Sequence, residues 1–238
     1  MHIGLIGGIG PAATDFYYRR LISTFTRNNT ALELTIVHAD TATLLSNLAR
    51  NDAAAQTAIY TQLTNRLVSA GAECVGVTSI AGHFCIDEFK AVSPLPVVDM
   101  LTEVNRVVEA RGLKRVGIIG TRTVMETRFY RRIASAEILP PSEPDLDDVH
   151  QAYVSMAASG FVTEDQRSIF HAVCHRLVEE KGAEAIMLGG TDLALVFNEQ
   201  TSEFPLVDCA GIHADAIAKL AIGGGASGFL SRSTLPWR

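Results

Sequence analysis

The sequence predicts an α/β fold of two pseudo-symmetric lobes, each a parallel sheet of βα units, with the functional site in the cleft between them. Three observations carry this expectation. Short apolar runs alternate with longer stretches at helical spacing, the pattern of parallel sheets joined by right-handed crossovers. The segment 71–83 (GAECVGVTSIAGH) is echoed about 110 residues later by 182–192 (GAEAIMLGGTD). Two more matches keep the same order: 2–7 (HIGLIG) with 115–120 (RVGIIG), and 96–99 (PVVD) with 205–208 (PLVD). Ligands of such folds bind at the carboxyl ends of strands, so facing sheets put both copies of the repeat at the site. The expected division is 1–100 with about 212–238 in one lobe and 101–211 in the other.

Taken in order, residues 2–7 form a short apolar strand. Pro11 then opens a helix to about residue 27, since a first helical turn does not need its missing N–H. A strand is expected over 32–39 and a helix over 53–70, closed by Gly71. The strand of the repeat follows at 74–77, then a helix over 81–92 and a strand at 96–98. Met100, Leu101, Val104, Val107 and Val108 share a helical face, and Gly112 closes that helix. The second half opens with a strand at 116–120 and a helix over 124–135. Acidic, proline-rich 139–148 (LPPSEPDLDD) reads as a loop. Helices over 147–159 and 163–181, strands at 185–188 and 205–207, and a helix over 211–221 complete the pattern. The tail from Gly223 is expected to be loose.

A chain of 238 residues, 47% hydrophobic and 19% charged, can bury a core and is not disordered. A formal charge of −6, with no cluster of Lys and Arg, argues against a nucleic-acid binder, which needs a basic stripe. No apolar run approaches the roughly 18 residues of a membrane span. The first strand leaves no room for a cleavable signal, and Cys74, Cys85, Cys174 and Cys209 show no C-x-x-C or disulfide spacing. A cytoplasmic, reduced protein is expected.

Four stretches could carry chemistry. Gly8-Ile-Gly10-Pro-Ala-Ala13 fits a relaxed G-x-G-x-x-G/A turn, with Asp40 ending the second strand. A dinucleotide is the weaker reading, because Asp40 is far along and Pro11 removes one N–H; a glycine turn approaching a small anion is the stronger. The counterpart turn begins Gly120-Thr-Arg-Thr123, where Thr121 and Thr123 offer hydroxyls at a helix start, either to a carboxylate or as a plain cap by Thr123. His171 and His175 share a helix face, but no third ligand is indicated, so no metal is expected. Cys209 precedes a helix, where a thiol ionises more readily, although a buried inert cysteine is commoner.

At these residues the chain resembles the aspartate/glutamate racemase family, the cofactor-independent amino-acid racemases. The resemblance spans nearly the whole chain and rests on 7–11 (GGIGP), 120–126 (GTRTVME), Phe129-Tyr130, Val149-His150, 186–193 (IMLGGTDL), and Asp208 with Ile212-His213-Ala214. It implies two similar lobes with a cysteine on each, facing the α-carbon from opposite sides. One takes the α-proton and the other returns one to the far face. Here the first motif reads Thr78-Ser-Ile-Ala-Gly-His83, so the resemblance places Thr78 at the first cysteine. The second reads Gly189-Gly-Thr-Asp192, leaving Gly190 with no side chain to act. Neither family cysteine is present.

The resemblance thus implies a PLP-independent racemase-like protein acting at the α-carbon of a small carboxylic or amino acid. The alternatives are a catalytically lapsed carboxylate-binding or regulatory protein, or a related decarboxylase or isomerase. Thr78, Asp192 and Cys209 are the candidate acid/base groups, with water or His213 as other donors on the side of Gly190. Gly8, Gly10, Ser79, His83, Thr121, Thr123 and Thr191 are the expected substrate contacts. The family lysine would fall near Thr163, and Arg50 is a possible substitute cation. No cofactor is expected, and the assembly expected is a homodimer.

Overall fold

The computed structural model describes residues 1–198, 200 and 202–228. Two four-stranded parallel sheets organise the chain. The first has the order β2-β1-β3-β4, from β1 (Ile3–Gly7), β2 (Leu34–His38), β3 (Cys74–Val77) and β4 (Val97–Val98). The second has the order β6-β5-β7-β8, from β5 (Arg115–Gly120), β6 (Glu137–Leu139), β7 (Ala185–Gly189) and β8 (Leu206–Val207). The central strands β1, β3, β5 and β7 are almost wholly buried, which is why they read as unbroken apolar runs.

The helices follow from capping and apolar spacing. Helix α1 (Pro11–Arg27) begins at Pro11 and buries Ala13, Tyr17, Leu21 and Phe25, a stripe four residues apart. Helices α2 (Thr41–Ala49), α3 (Ala53–Ser69), α4 (Ile86–Val92) and α5 (Met100–Ala110) complete the first half. Asp40, Asp52 and Asp99 cap α2, α3 and α5 with their carboxylates. In the second half lie α6 (Arg122–Glu126), α7 (Asp145–Ser159) and α8 (Glu164–Glu179), the last opened by a capping box between Thr163 and Gln166. Helix α9 (Cys209–Gly228) returns to pack on α1 and α5. Buried apolar residues of both halves form one continuous core. No helix among the described residues is long and apolar enough to cross a membrane.

Several expectations are corrected. Helix α2 fills a stretch to which no element was assigned; of the expected 139–148 loop, β6 takes only Leu139, while α7 takes the end from Asp145. Residues 81–92 are a tight 3-10 turn, Ala81–Cys85, followed by α4. The helix expected over 124–135 stops at Glu126, and Arg128 to Arg131 then take four successive left-handed backbone conformations, φ 51 to 58°. Helix α9 runs on through Gly223 to Gly228, so this part of the tail is helical; the remainder, 229–238, lies outside the described residues.

Candidate active site

The ladder registers fix how the two halves correspond. Ile3 pairs with Cys74 on β3, and Val116 pairs with Ala185 on β7. Counting on in step from those partners, Thr78 stands opposite Gly189 and Ser79 opposite Gly190. The register therefore makes Ser79, not Thr78, the counterpart of Gly190. Thr78 still belongs to the ladder: its N–H donates to Ile6 O at 3.1 Å, and its hydroxyl donates to the same oxygen at 3.3 Å.

The carboxyl ends of the two sheets meet at α1. Gly10 caps that helix with φ 87° and has no side chain to offer its orphan N–H groups. Asp192, from the 3-10 turn Thr191–Leu195 of the other half, supplies the missing acceptor: Ala13 N–H donates to its Oδ1 at 3.2 Å. A Cβ on Gly10 would lie 2.5 Å from Asp192 Oδ2, so only glycine lets the carboxylate in so close. The small anion expected at this helix start is thus the protein's own. Tyr153, on α7, donates its hydroxyl to Asp192 Oδ2 at 3.1 Å. Burial pushes the Asp192 carboxyl up to about 6, against the pull of the Ala13 and Tyr153 hydrogen bonds. Burial, with the Asp192 charge beside it, raises the Tyr153 hydroxyl well above its ordinary value and keeps it a donor.

Tyr153 also explains Gly190. A Cβ at that position would overlap the Tyr153 ring at Cε2 and Cζ. The ring fills the space that a side chain at position 190 would take. No local signal marks Tyr153, which reads as one more residue of the half-apolar α7.

On the first half, Ser79 Oγ accepts from Gly82 N–H at 3.2 Å and Ser79 O accepts from His83 at 2.6 Å. A carbonyl can only accept, so His83 Nδ1 carries the proton and Nε2 is left as an acceptor. That Nε2 is buried with no hydrogen-bond partner, and burial lowers the His83 pKa, so the ring is neutral. His213 is locked at both nitrogens: Nε2–H donates to Val98 O and Nδ1 accepts from Tyr17, both at 2.8 Å. Burial drives its pKa down to about 3, which removes it as a proton donor at neutral pH. Cys209 is fully buried with its thiol on Val207 O at 3.7 Å. Burial raises this thiol well above its ordinary value, opposite to the ionisation expected of a helix start.

The remaining predicted groups are more ordinary. Gly8 N–H is already held by Thr14 Oγ1 at 2.9 Å. Thr121, not Thr123, caps α6 by accepting from Val124 N–H, while Thr123 is half-buried and gives its carbonyl to Thr127. Thr191 is buried beside Asp192. Asp40, the candidate ribose ligand, caps α2, and Arg50 is tied to Ser46 and Asn47 of the same helix. Thr163 is spent in its capping box. Two cavities open near the tips. One of about 560 Å³ lies between α1 and the 191–195 turn, lined by Arg19, Arg20, Arg27, Thr191 and Asp192 among others. One of about 300 Å³ lies beside His83 and Tyr130, whose hydroxyl donates to Ala81 O at 3.3 Å across the seam.

The Asp/Glu/hydantoin racemase family model matches residues 6–217. Among solved structures, a Yersinia pestis protein assigned as an Asp/Glu racemase is similar with a TM-score of 0.80 and 27% identity, over 93% of this chain and 100% of that one. An aspartate racemase homologue from Pyrococcus horikoshii gives 0.76 and 23%, over 93% and 99%. The glutamate racemase of Francisella tularensis, in complex with D-glutamate, gives 0.66 and 16%, over 99% and 85%, a likeness of fold.

Proposed function

The chain belongs to the Asp/Glu/hydantoin racemase family, and from that premise we propose that it removes and returns the α-proton of a small carboxylate-bearing amino acid without a cofactor. The observation that carries the reading is Asp192: a buried carboxylate with a pKa raised to about 6, at the tip of the second sheet. A base is most useful when its pKa lies near the working pH, and this carboxylate is a stronger base than an ordinary one. It takes the part that the family resemblance gives to a cysteine at position 190. Tyr153 holds it in place by donating to its ionised form.

Inversion needs a second group on the opposite face. The candidates on the first half are the hydroxyls of Thr78 and, by ladder register, Ser79, with His83 fixed to the Ser79 carbonyl. Cys209 is better read as a core residue, given its complete burial. In the cavity beside Asp192, Arg19 and Arg20 are already paired with Asp15 and Asp215, so support for a carboxylate ligand there comes from Arg27.

Incubation in deuterated water with L- and D-aspartate and glutamate tests the reading, with α-deuterium read by mass spectrometry. Incorporation into at least one enantiomeric pair, with loss of optical rotation, is the expected result. A ligand that binds measurably yet gains no deuterium would show instead a carboxylate-binding protein without turnover. We further take the protein to be a homodimer acting in the reducing cytoplasm, which suits its four free, buried cysteines. Exposed Tyr18 and Ile22, one turn apart on α1, offer an apolar contact, and light scattering should give twice the chain mass of 25.6 kDa.

A further inference from the structure

The 300 Å³ cavity beside His83 is not used by the proposed chemistry. It lies where the two halves meet, with His83 and Asp87 contributed by the first, and Thr127, Tyr130, Arg131 and Arg132 by the second. Four features of it converge. His83 is 1% exposed and its Nε2 is a lone-pair acceptor without a partner. A buried acceptor is costly unless something donates to it. Arg131 is exposed and carries no ion pair among the described residues. Its side chain is presented by the left-handed run from Arg128 to Arg131, a backbone that non-glycine residues adopt only under tertiary constraint. Finally, Asp87 and Arg132 form an ion pair across the seam, so the rim already carries both signs of charge.

We infer that this cavity binds an α-amino acid as its zwitterion: the ammonium donates to His83 Nε2 and the carboxylate pairs with Arg131. Buried Nε2 wants a donor, Arg131 wants an anion, and both residues line the one cavity, so a zwitterion answers both. A bare carboxylate would leave His83 unsatisfied, and a bare amine would leave Arg131 unpaired. The ligand would touch both halves and brace the seam that Tyr130 already bridges. Through the Nδ1–H bond to Ser79 O, it would also fix the strand tip from behind. The site is distinct from the Asp192 tip, with which it shares no lining residue.

Calorimetric titration of the full chain with L-glutamate, glutarate and γ-aminobutyrate tests this, since the last two lack the α-ammonium and the α-carboxylate respectively. L-Glutamate should bind, with both analogues at least tenfold weaker. R131A should weaken at least one component of the glutamate isotherm tenfold or more, and H83F should do the same if it folds. D192N should retain that component even though proton exchange is lost, which separates this site from the proposed reaction. An unchanged isotherm in R131A, equal binding of glutarate, or no glutamate binding at all overturns the inference. Binding lost in D192N but kept in R131A would place the ligand at the tip, overturning the cavity site while leaving the proposed function standing.

Discussion

Asp192→Asn should lower α-proton exchange by at least about 100-fold, the usual scale for removing a general base. The change is close to isosteric. The amide oxygen can still accept from Ala13 N–H, and the amide nitrogen can donate to the Tyr153 oxygen after rotation of that hydroxyl. Loss of activity with circular dichroism unchanged would therefore report chemistry rather than folding. In the wild type, kcat/KM should rise with pH through about 6 as the carboxylate forms, then level off. Both enantiomers should share that profile, because their equilibrium constant is one at every pH.

The same residue predicts a stability signature. Its folded pKa of about 6 stands above the ordinary aspartate value of 3.8, so the native state binds the extra proton between those limits. The stability it contributes is present in full below about pH 4 and is lost as pH rises through about 6, on the order of 2–3 kcal/mol. Denaturant unfolding of D192N should lack this fall. A D192N enzyme that exchanges protons at the wild-type rate would sink the assignment of Asp192 as base.

Gly190→Ala should be strongly destabilising, although it adds one methyl group beside a strand end. The new Cβ would overlap the Tyr153 ring, which is buried and tethered by its hydroxyl to Asp192. Overpacking of this kind costs roughly 1–3 kcal/mol, and a domain of this size loses about 2–4 °C in Tm per kcal/mol. Tyr153→Ala removes the obstacle at the cost of a cavity. In that background, adding Gly190→Ala should be nearly neutral, so the double-mutant cycle should show a coupling of at least about 1 kcal/mol. Simple additivity of the two changes would mean that Tyr153 does not occupy the space of a side chain at 190.

Much of the fold was legible because its signals are local. Burial on both faces makes β1, β3, β5 and β7 continuous apolar runs, and Pro11 and Gly71 punctuate helices wherever they occur. Helix α2 was missed although Asp40 is a good cap, because Asp40 reads as a candidate ribose ligand of the Gly8–Ala13 turn. The left-handed run after α6 was not legible. Val124, Met125 and Phe129 keep helical spacing, and no glycine marks the reversal; it exists because Phe129 is buried and the seam holds Tyr130.

The sequence by itself determined the two-lobed α/β plan, the pairing of its halves, the family it resembles and the empty position at Gly190. Hydrophobic period and ordered repeats are written along the chain and need no knowledge of contacts. Only the tertiary structure decided what stands at the tips. Asp192 caps a helix 179 residues away, and Tyr153 fills the space beside Gly190. Burial then sets the electrostatics: it lifts the Asp192 carboxyl and the Cys209 thiol, lowers the His213 imidazole, and leaves His83 Nε2 without a partner. Those effects depend on which surfaces exclude water from a group, and that is a property of the packed lobes rather than of neighbours in the chain.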